Sequence, residues 1–430
     1  MNKINNYITT HIEKIITIFL FLQPVIDVLT AISMTKWNHS FLLGLGIRML
    51  FLLLMGYYII LSNKRSSKYL IIIVFYLLLF MINISCEKGI SAFSYEFKSL
   101  MKTFYFPIVL LGFYEVFRKH PPYDSNILKK LFLIYLLFVI IPNLLHIGFQ
   151  SYEITKSGSI GFFYTANEIG AILAILMPIF FYHLFQKENK IVNIFSILIT
   201  FYLYLSIGTK APLILFFVLL MYYFVSYFKT LIHSKKYKSV SILSMLLVVV
   251  LSSFVIFLPK TNFYKNIKVH LEFLEIEKPS DIWKDKKTLD HFIFSERLRF
   301  WSDTNQIYQK SSTIEKLIGI GYINNYSTDQ VSMKMVEMDL VDLFYRHGLI
   351  GFILYMVPFI IILYQVITKY FSERKELRKK KIIIAYLFSV MFALLLSLIT
   401  GHVILSPSVS IYVALILILL YNELYKESKI

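Results

Sequence analysis

Several basic side chains in this sequence lie in or beside long apolar runs, where a charge is costly and therefore points to function. They are Arg48, Lys98, Lys102, Lys210 and Arg346. Two more basic residues, Arg297 and Arg299, come from the one long polar segment of the chain. If the runs cross a membrane, the residues form a mostly cationic rim near one of its surfaces. Fixed cations at that depth suit an anionic ligand that lies in the membrane, and a lipid diphosphate is the natural candidate.

A structural explanation competes with function at most of these positions. Lys98 can simply extend its ammonium group to the membrane surface, and for Arg299 a solvated position is favoured. Arg346 can be paired with a nearby acid, and Asp27, in the first apolar run, is expected to pair with a basic neighbour. Lys210 directly follows a glycine turn at the start of a run, which favours a functional role.

Three acids, Glu337, Asp339 and Asp342, form a cluster at the end of the polar segment. A carboxylate there can act as a general base on a sugar hydroxyl, and Glu337 and Asp339 are the candidate catalytic residues. The alternative is that the acids only stabilise the start of the next helix, whose dipole favours negative charge. Asp342 fits that alternative best. His402, at the start of the last apolar run, is another candidate base, ahead of His347.

The composition indicates the framework that must position these groups. The 430 residues are 57% hydrophobic and 17% aromatic, more than a water-soluble protein needs, so we predict a polytopic membrane protein. The net charge of +18 does not indicate nucleic-acid binding, because the Lys and Arg residues lie mainly in short loops between apolar runs. The lone Cys86 excludes an intramolecular disulfide and offers no metal-ligand cluster. No metal and no cofactor is expected.

Twelve apolar runs are candidate transmembrane helices, since a spanning helix needs about 20 apolar residues. They cover residues 14–33, 41–62, 68–85, 95–117, 130–149, 166–186, 191–207, 211–229, 240–259, 342–368, 381–400 and 403–423. Basic residues concentrate in alternate connections, so the positive-inside rule predicts cytoplasmic termini and an extracytoplasmic polar segment. The expected fold class is an all-α polytopic protein of the cytoplasmic membrane.

These predictions divide the chain into three parts. Residues 1–259 carry transmembrane helices 1–9, residues 260–341 form a large extracytoplasmic loop, and residues 342–430 carry helices 10–12. Within the loop, apolar residues of Asn262–Glu275 recur at the spacing of one helix face, as in a helix lying at the membrane interface. A second short helix is predicted over Ser295–Gln309, with its first residue as N-cap.

Five short motifs resemble those of the O-antigen ligase/polymerase superfamily. Ser206-Ile-Gly-Thr-Lys210 is similar to its Ser-x-Ser-Arg element, with Lys where Arg is usual. Ser295-Glu-Arg-Leu-Arg-Phe-Trp301 resembles Ser-Gly-Arg-x-x-x-Trp, and Gly319-Ile-Gly-Tyr322 resembles the Gly-x-Gly-aromatic turn. Gly348-Leu-Ile-Gly351 matches Gly-Leu-x-Gly, and Gly161–Gly170 is similar to the Gly-x(n)-Asn-x-x-Gly stretch. Their order, together with one large loop late in the chain, supports the resemblance.

The resemblance implies a GT-C-like, inverting, metal-independent membrane glycosyltransferase. Such enzymes take a glycan from an undecaprenyl-diphosphate donor on the outer leaflet and join it to an acceptor. By motif position, Lys210 and Arg297 hold the donor diphosphate, whose negative charge grows as it departs. Further candidate ligands of the diphosphate are Arg48, Lys98, Lys102 and Arg346. Ligases of the family usually carry His about eleven residues before Gly-Leu-x-Gly, where this chain has Glu337 as the candidate replacement base.

The first function hypothesis is a polymerase of lipid-linked repeat units for a surface polysaccharide, of the capsule or O-antigen type. The replaced His favours it over a ligase that moves a glycan onto a lipid, protein or wall acceptor. A flippase or transporter of lipid-linked sugars is a further alternative, although no internal repeat supports it. A cell-wall polymerase of the shape, elongation and division family shares only the large loop. Expected partners are the lipid-linked donor, the acceptor glycan and membrane lipids, with a chain-length regulator as an additional candidate.

Overall fold

The computed structural model describes residues 2–36, 43–150, 158–186, 190–235, 258–274, 285–323, 334–377 and 380–425, with a few single residues between 236 and 284. Its long helices are α1 (Asn2–Lys36), α2 (Leu43–Ser62), α3 (Lys64–Lys88), α4 (Phe93–Lys119), α5 (Asn126–Leu144), α6 (Ala166–Gln186), α7 (Lys190–Ile207), α8 (Lys210–His233), α13 (Asp339–Ser372), α15 (Lys381–Ile399) and α16 (Pro407–Tyr425). The shorter helices are α9 (Asn262–Phe273), α10 (Lys286–Leu289), α11 (Arg297–Lys310), α12 (Thr313–Ile318) and α14 (Arg374–Leu377). A short antiparallel ribbon pairs β1 (Phe149–Gln150) with β2 (Ser159–Gly161).

Ten helices in the described part of the chain are long and apolar enough to cross a membrane. They coincide with ten of the twelve predicted spans, including the charge-bearing run at residues 95–117, and they confirm the prediction of an all-α polytopic membrane protein. The seventh predicted span is the shorter apolar helix α7. The ninth, residues 240–259, lies mostly outside the described residues.

Helices α4, α6 and α16 form the centre of the bundle. In each of them 78% of the most apolar window is buried, against 33% in α3 and 28% in α8, whose apolar side chains mostly face outward. The first turns of α6 and α16 contain small residues, which let helices approach closely in a membrane. Because α16 packs against α4, α6, α13 and α15, the turn that precedes it is held from several sides.

The polar segment contains both predicted short helices. The first, α9, forms over Asn262–Phe273 and packs its partly buried face against α7. The second, α11, begins at Arg297, but the prediction that Ser295 is its N-cap is wrong. Ser295 and the next residue have left-handed backbone conformations, and no side chain caps the helix from the position before it.

The cap of α11 comes from further back in the chain. Asp290, in the π-helical turn Asp290–Phe294, directs its carboxylate at the first turn of α11. Its two oxygens accept the N–H groups of Leu298 and Arg299, both at 3.0 Å. These are two of the N–H groups that a helix start leaves without an intrahelical partner. The motif that contains Arg297 is therefore anchored by a residue that precedes it.

The membrane helix α13 is interrupted at Gly348. Its φ of 60° and ψ of −172° lie in a region that only glycine adopts readily. At the interruption, the carbonyl groups of Tyr345 and Arg346 accept hydrogen bonds at 3.1 Å from the N–H groups of Ile320 and Gly321. The Gly-x-Gly and Gly-Leu-x-Gly motifs are thus the two sides of one backbone contact.

The sequence predicts residues 260–341 as an outer loop, but one part of this segment is buried among membrane helices. The N–H groups of Tyr322 and Ile323 donate to one carboxylate oxygen of Glu96 in α4, at 2.7 and 2.8 Å. Lys88, at the end of α3, pairs with the same oxygen at 3.3 Å and also donates to the carbonyl of Ile323. A buried segment needs such partners because its backbone groups are out of reach of water.

Candidate active site

Arg297 is the centre of a hydrogen-bond network at the start of α11. It is 6% exposed, and its Nε and Nη1 donate to the carbonyls of Glu337 at 3.0 Å and Phe294 at 3.3 Å. Its Nη2 donates to the Thr400 carbonyl at 3.2 Å and to Glu337 Oε2 at 2.9 Å. One guanidinium therefore joins the polar segment, the start of α13 and the turn between α15 and α16.

Glu337 is held in place through both its backbone and its side chain. Its N–H donates to Asp342 Oδ2 at 2.8 Å, and its carbonyl and Oε2 both accept from Arg297. The side chain is 31% exposed, and Oε1 accepts no hydrogen bond from any residue that the structure describes. The carboxylate is thus oriented yet partly accessible, which a general base requires.

Backbone strain is concentrated around this ion pair. Six non-glycine residues in the described ranges have positive φ, and four of them are Ser295, Glu296, Glu337 and His402, with φ from 53° to 66°. Side-chain-bearing residues adopt this region rarely and at a cost, and such residues cluster at active sites. Gly401, beside His402, lies so close to the Glu337 backbone that a Cβ atom would clash with it.

Lys210 lies beside the same segment. Its Nζ donates to the Phe292 carbonyl at 2.8 Å, lies 3.9 Å from the centre of the Phe292 ring, and is 3.5 Å from His270 Nδ1 in α9. Phe292 and Phe294, whose carbonyls accept from Lys210 and Arg297, are two residues apart. Their Cα atoms are therefore separated by at most about 7 Å. The fold brings both sequence-predicted cations to one turn.

Asp339, the second candidate base, has a different environment from Glu337. It is 2% exposed, and its carboxylate accepts the N–H groups of His402 at 2.7 Å, Val403 at 2.9 Å and Ile404 at 2.8 Å. These bonds hold the turn between α15 and α16. The geometry does not support the prediction that Asp339 is catalytic, because both oxygens are buried and engaged with backbone.

Two further charged residues of α13 also belong to the scaffold. Asp342 accepts the N–H group of Val336 at 3.0 Å as well as that of Glu337, which supports the start of α13 as its structural alternative predicts. Arg346 is 1% exposed and donates to the carbonyls of Gly321 and Lys334, both at 3.0 Å. Arg346 therefore lies outside any open rim, and the geometry does not support the prediction that it binds the diphosphate.

The remaining cations do not join Arg297 either. Arg48 is buried in an ion pair with Asp27, which confirms the pairing predicted for that acid. Lys102 is exposed on α4. One turn further along, Tyr105 is buried against α2, the helix that carries Arg48. The predicted single rim is therefore two groups, one around Arg297 and one around Arg48.

A family model described as "O-antigen ligase like membrane protein" matches residues 9–291 and 282–427, nearly the whole chain. The chain belongs to this family. No curated protein matches the sequence. Membership makes the protein a multi-pass membrane enzyme of glycan transfer, whose substrates are a lipid-linked glycan and an acceptor.

In this O-antigen ligase-like protein, motifs that are distant in sequence come into contact. Gly170 lies against Thr209 and Pro212, so the Asn-x-x-Gly stretch packs on the motif that carries Lys210. Trp301 donates from its ring nitrogen to the Tyr345 hydroxyl at 3.1 Å, which ties α11 to α13. These contacts give the motifs a shared role in building the surroundings of the Arg297–Glu337 pair.

Sequence reasoning missed several residues that complete this arrangement. Asp290 and Thr400 contact α11 or Arg297 directly, but neither has a spacing that periodicity can detect. Glu168 lies inside the Gly161–Gly170 motif, and its charge was the signal that could have identified it. Within the described part of the chain, no group of three His, Cys, Asp or Glu side chains is arranged to hold a metal ion.

Proposed function

We propose that this O-antigen ligase-like protein is a polymerase that joins undecaprenyl-diphosphate-linked glycan units into a surface polysaccharide. The observation that carries the proposal is the Arg297–Glu337 ion pair, in which a buried cation and a partly accessible carboxylate lie 2.9 Å apart in a strained segment. Glycosyl transfer from a diphosphate needs both kinds of group: a base for the acceptor hydroxyl and a cation for the departing diphosphate.

In the proposed reaction, a hydroxyl of the acceptor sugar attacks the anomeric carbon of the donor glycan from the face opposite the diphosphate. Glu337 Oε1 takes the hydroxyl proton as the new carbon–oxygen bond forms. The bond to the diphosphate oxygen breaks, and its electron pair leaves with undecaprenyl diphosphate. A single displacement of this kind inverts the anomeric configuration. Arg297 and Lys210 stabilise the growing negative charge, a task that fixed cations perform without a divalent metal ion.

Donor binding is proposed to release the base. Arg297 Nη2 divides its hydrogen bonds between Glu337 and the Thr400 carbonyl. A diphosphate beside Arg297 offers this nitrogen a more highly charged acceptor, and charge-assisted hydrogen bonds to phosphate are strong. As Arg297 turns toward the diphosphate, Glu337 loses part of its ion pair and becomes available to the acceptor hydroxyl. Proton transfer is thereby coupled to the presence of the donor.

The proposed location is the outer face of the cytoplasmic membrane, with both termini in the cytoplasm. Support comes from the basic stretch between α13 and α15, which the positive-inside rule assigns to the cytoplasm. The Arg297–Glu337 pair lies at the opposite end of α13, beside Asp339. That end of the helix then faces the outside, where lipid-linked glycans are polymerised in the proposed reaction.

The test is reconstitution of the full-length protein in liposomes with an undecaprenyl-diphosphate oligosaccharide. We expect longer lipid-linked chains from the wild type and at least an approximately 100-fold lower rate from Arg297→Ala, because a positioned charge donor is lost. Arg299→Ala is the matched control, since Arg299 is exposed and pairs only locally with Glu296. Normal chain-length ladders from Arg297→Ala would remove Arg297 from the donor site.

The family description favours one second candidate, a ligase that transfers a finished glycan to a different acceptor. Both reactions use the same donor and the same displacement, so they differ only in the acceptor. In the liposome experiment a ligase leaves the lipid-linked oligosaccharide at its original length and labels an added lipid, peptide or wall fragment. Elongation without such an addition supports the polymerase.

A further inference from the structure

A second group of polar side chains lies among α1, α2, α5 and α16. Asp27 and Arg48 form a buried ion pair, and Arg48 also donates to Gln23 at 3.0 Å. The Tyr135 hydroxyl donates to Asp27 Oδ2 at 3.1 Å and lies 3.0 Å from the hydroxyl of Tyr412. A buried ion pair whose remaining positions are hydrogen-bonded in this way is a rigid feature.

Three further residues come from α4, α6 and the turn before α16, which pack against the helices that hold this ion pair. Glu168, in the first turn of α6, is partly exposed, and its Oε1 accepts a hydrogen bond from Ser406 at 2.6 Å. Lys102 is exposed although α4 is among the most buried helices of the described chain. Tyr105 and Phe106, one turn further along the same face of α4, are fully buried, so Lys102 faces the interior of the bundle and not the lipid. An exposed side chain on an inward face borders space that water can reach.

The charges of this group nearly cancel. Asp27 and Glu168 oppose Arg48 and Lys102, with Lys98 one turn away along α4. A diphosphate is bound best where positive charge is in clear excess. Sugar hydroxyls instead both donate and accept hydrogen bonds, and a carboxylate, an ammonium group and hydroxyls together match them. The group therefore suits a neutral sugar unit better than a diphosphate.

One short turn connects this group to the Arg297–Glu337 pair. Thr400 accepts from Arg297, and Ser406, six residues later, donates to Glu168. Six residues span at most about 21 Å, a distance that one oligosaccharide chain can bridge. Asp339 holds the residues between them through three backbone N–H groups, which keeps the separation constant.

We propose that Glu168, Lys102 and Ser406 form the acceptor subsite, which binds a sugar unit behind the one that attacks the donor. Glu168 accepts hydrogen bonds from sugar hydroxyls, Lys102 donates to sugar oxygens, and Ser406 holds the Glu168 carboxylate. This inference rests on the proposed glycosyl transfer and identifies the site of its second substrate. It moves Lys102 and Arg48 from the donor diphosphate, where the hypothesis of a cationic rim puts them, to the acceptor.

The test uses the full-length protein in nanodiscs and a labelled, water-soluble oligosaccharide of the repeat unit as acceptor. Direct binding without donor is measured first, and then the KM for each substrate with the lipid-linked donor present. Glu168→Gln and Lys102→Gln are expected to weaken acceptor binding and to raise its KM about 10–100-fold, with the donor KM unchanged. Glu272→Gln is the control, because this acid is 62% exposed and pairs only with Lys268.

Ser406→Ala serves as a second, milder variant that removes only the hydroxyl bonded to Glu168. It is expected to weaken acceptor binding about 2–10-fold and to change the melting temperature little, because only the bonds of its hydroxyl to Glu168 and Ser408 are lost. Wild-type acceptor affinity in the folded Glu168→Gln and Ser406→Ala proteins would overturn the inference. A rise in donor KM instead of acceptor KM would also overturn it, and would return the group to the diphosphate.

Failure of the acceptor subsite and failure of the proposed function give different results in these measurements. Arg297→Ala is expected to lose turnover and to keep acceptor binding, since Arg297 belongs to the other group. If the wild type binds the oligosaccharide through Glu168 but never elongates it, the polymerase proposal fails and the binding site stands. If the wild type elongates normally and the Glu168 and Lys102 variants match it, only the acceptor subsite fails.

Discussion

Replacement of Glu337 with glutamine tests the proposed base with little change in shape. Glutamine keeps an oxygen that can accept from Arg297 Nη2, and the backbone bonds of residue 337 to Arg297 and Asp342 do not depend on the side chain. What is lost is the charge and the ability to take a proton. The variant therefore separates a catalytic role of the carboxylate from its part in holding the segment.

The structure indicates how large each effect should be. A hydrogen bond to a charged group contributes about 1.5–3 kcal/mol and a neutral one about 0.5–1.5 kcal/mol, so Glu337→Gln should cost about 1–2 kcal/mol of folding stability. The 31% exposure of the side chain argues for the lower end. Loss of a general base slows a reaction about 10²–10⁴-fold, which corresponds to about 3–5 kcal/mol of activation free energy. The kinetic effect should therefore exceed the structural one.

The assay is the initial rate of lipid-linked chain elongation in liposomes, at saturating donor and acceptor, with the melting temperature measured in detergent on the same preparation. Glu337→Asp, which keeps a carboxylate, should recover part of the rate. Glu272→Gln should match the wild type in both measurements. A Glu337→Gln rate within a few-fold of the wild type, measured on folded protein, would refute the assignment of Glu337 as base, and His402 would become the next residue to test.

Three further predictions concern the scaffold, each read out as melting temperature in detergent. Gly348→Ala should destabilise the protein by at least about 3 kcal/mol, because the backbone conformation excludes a side chain. Gly46→Ala is the control and should not destabilise it, because open space surrounds Gly46. Equal melting temperatures of the two variants would contradict the packing described around Gly348. Glu96→Ala should lower the free energy of unfolding by about 3–5 kcal/mol, because Lys88 is left as a buried charge without its carboxylate. A small effect would mean that the Lys88–Glu96 pair does not hold residues 320–323. Asp339→Asn should lower the free energy of unfolding by about 2–4 kcal/mol, because it turns an amide group toward backbone N–H groups. Full stability would show that the turn between α15 and α16 does not depend on Asp339.

Hydropathy alone was sufficient for most of the fold. Ten predicted spans correspond to described helices that are long enough to cross a membrane, because a run of about 20 apolar residues has few stable conformations other than a membrane-crossing helix. Periodicity was also sufficient for α9, where one apolar face packs against α7. The start of α11 was not predictable in the same way. Ser295 has the right residue type for an N-cap, but Asp290 reaches the helix across a π-helical turn that has no sequence signal.

The candidate site shows where local reasoning stops. Glu337 and Asp339 are two residues apart and equally acidic, yet one pairs with Arg297 in a partly open position and the other is buried against backbone N–H groups. The same holds for the cations. Arg346 and Arg48 lie near helix ends as the rim hypothesis requires, but each already pairs with groups from another part of the chain. Nothing in the spacing of these residues distinguishes them.

The amino-acid sequence by itself determined that this chain spans a membrane many times, which residues lie in its apolar helices, and that Lys210, Arg297 and Glu337 deserved testing. Tertiary structure alone decided that Arg297 meets Glu337, that Arg48 meets Asp27, and that Gly319–Tyr322 enters the bundle beside the break in α13. The physical reason is the range of the forces involved. Transfer of an apolar run out of water depends on that run alone, whereas the partner of a buried charge depends on which distant segments pack around it.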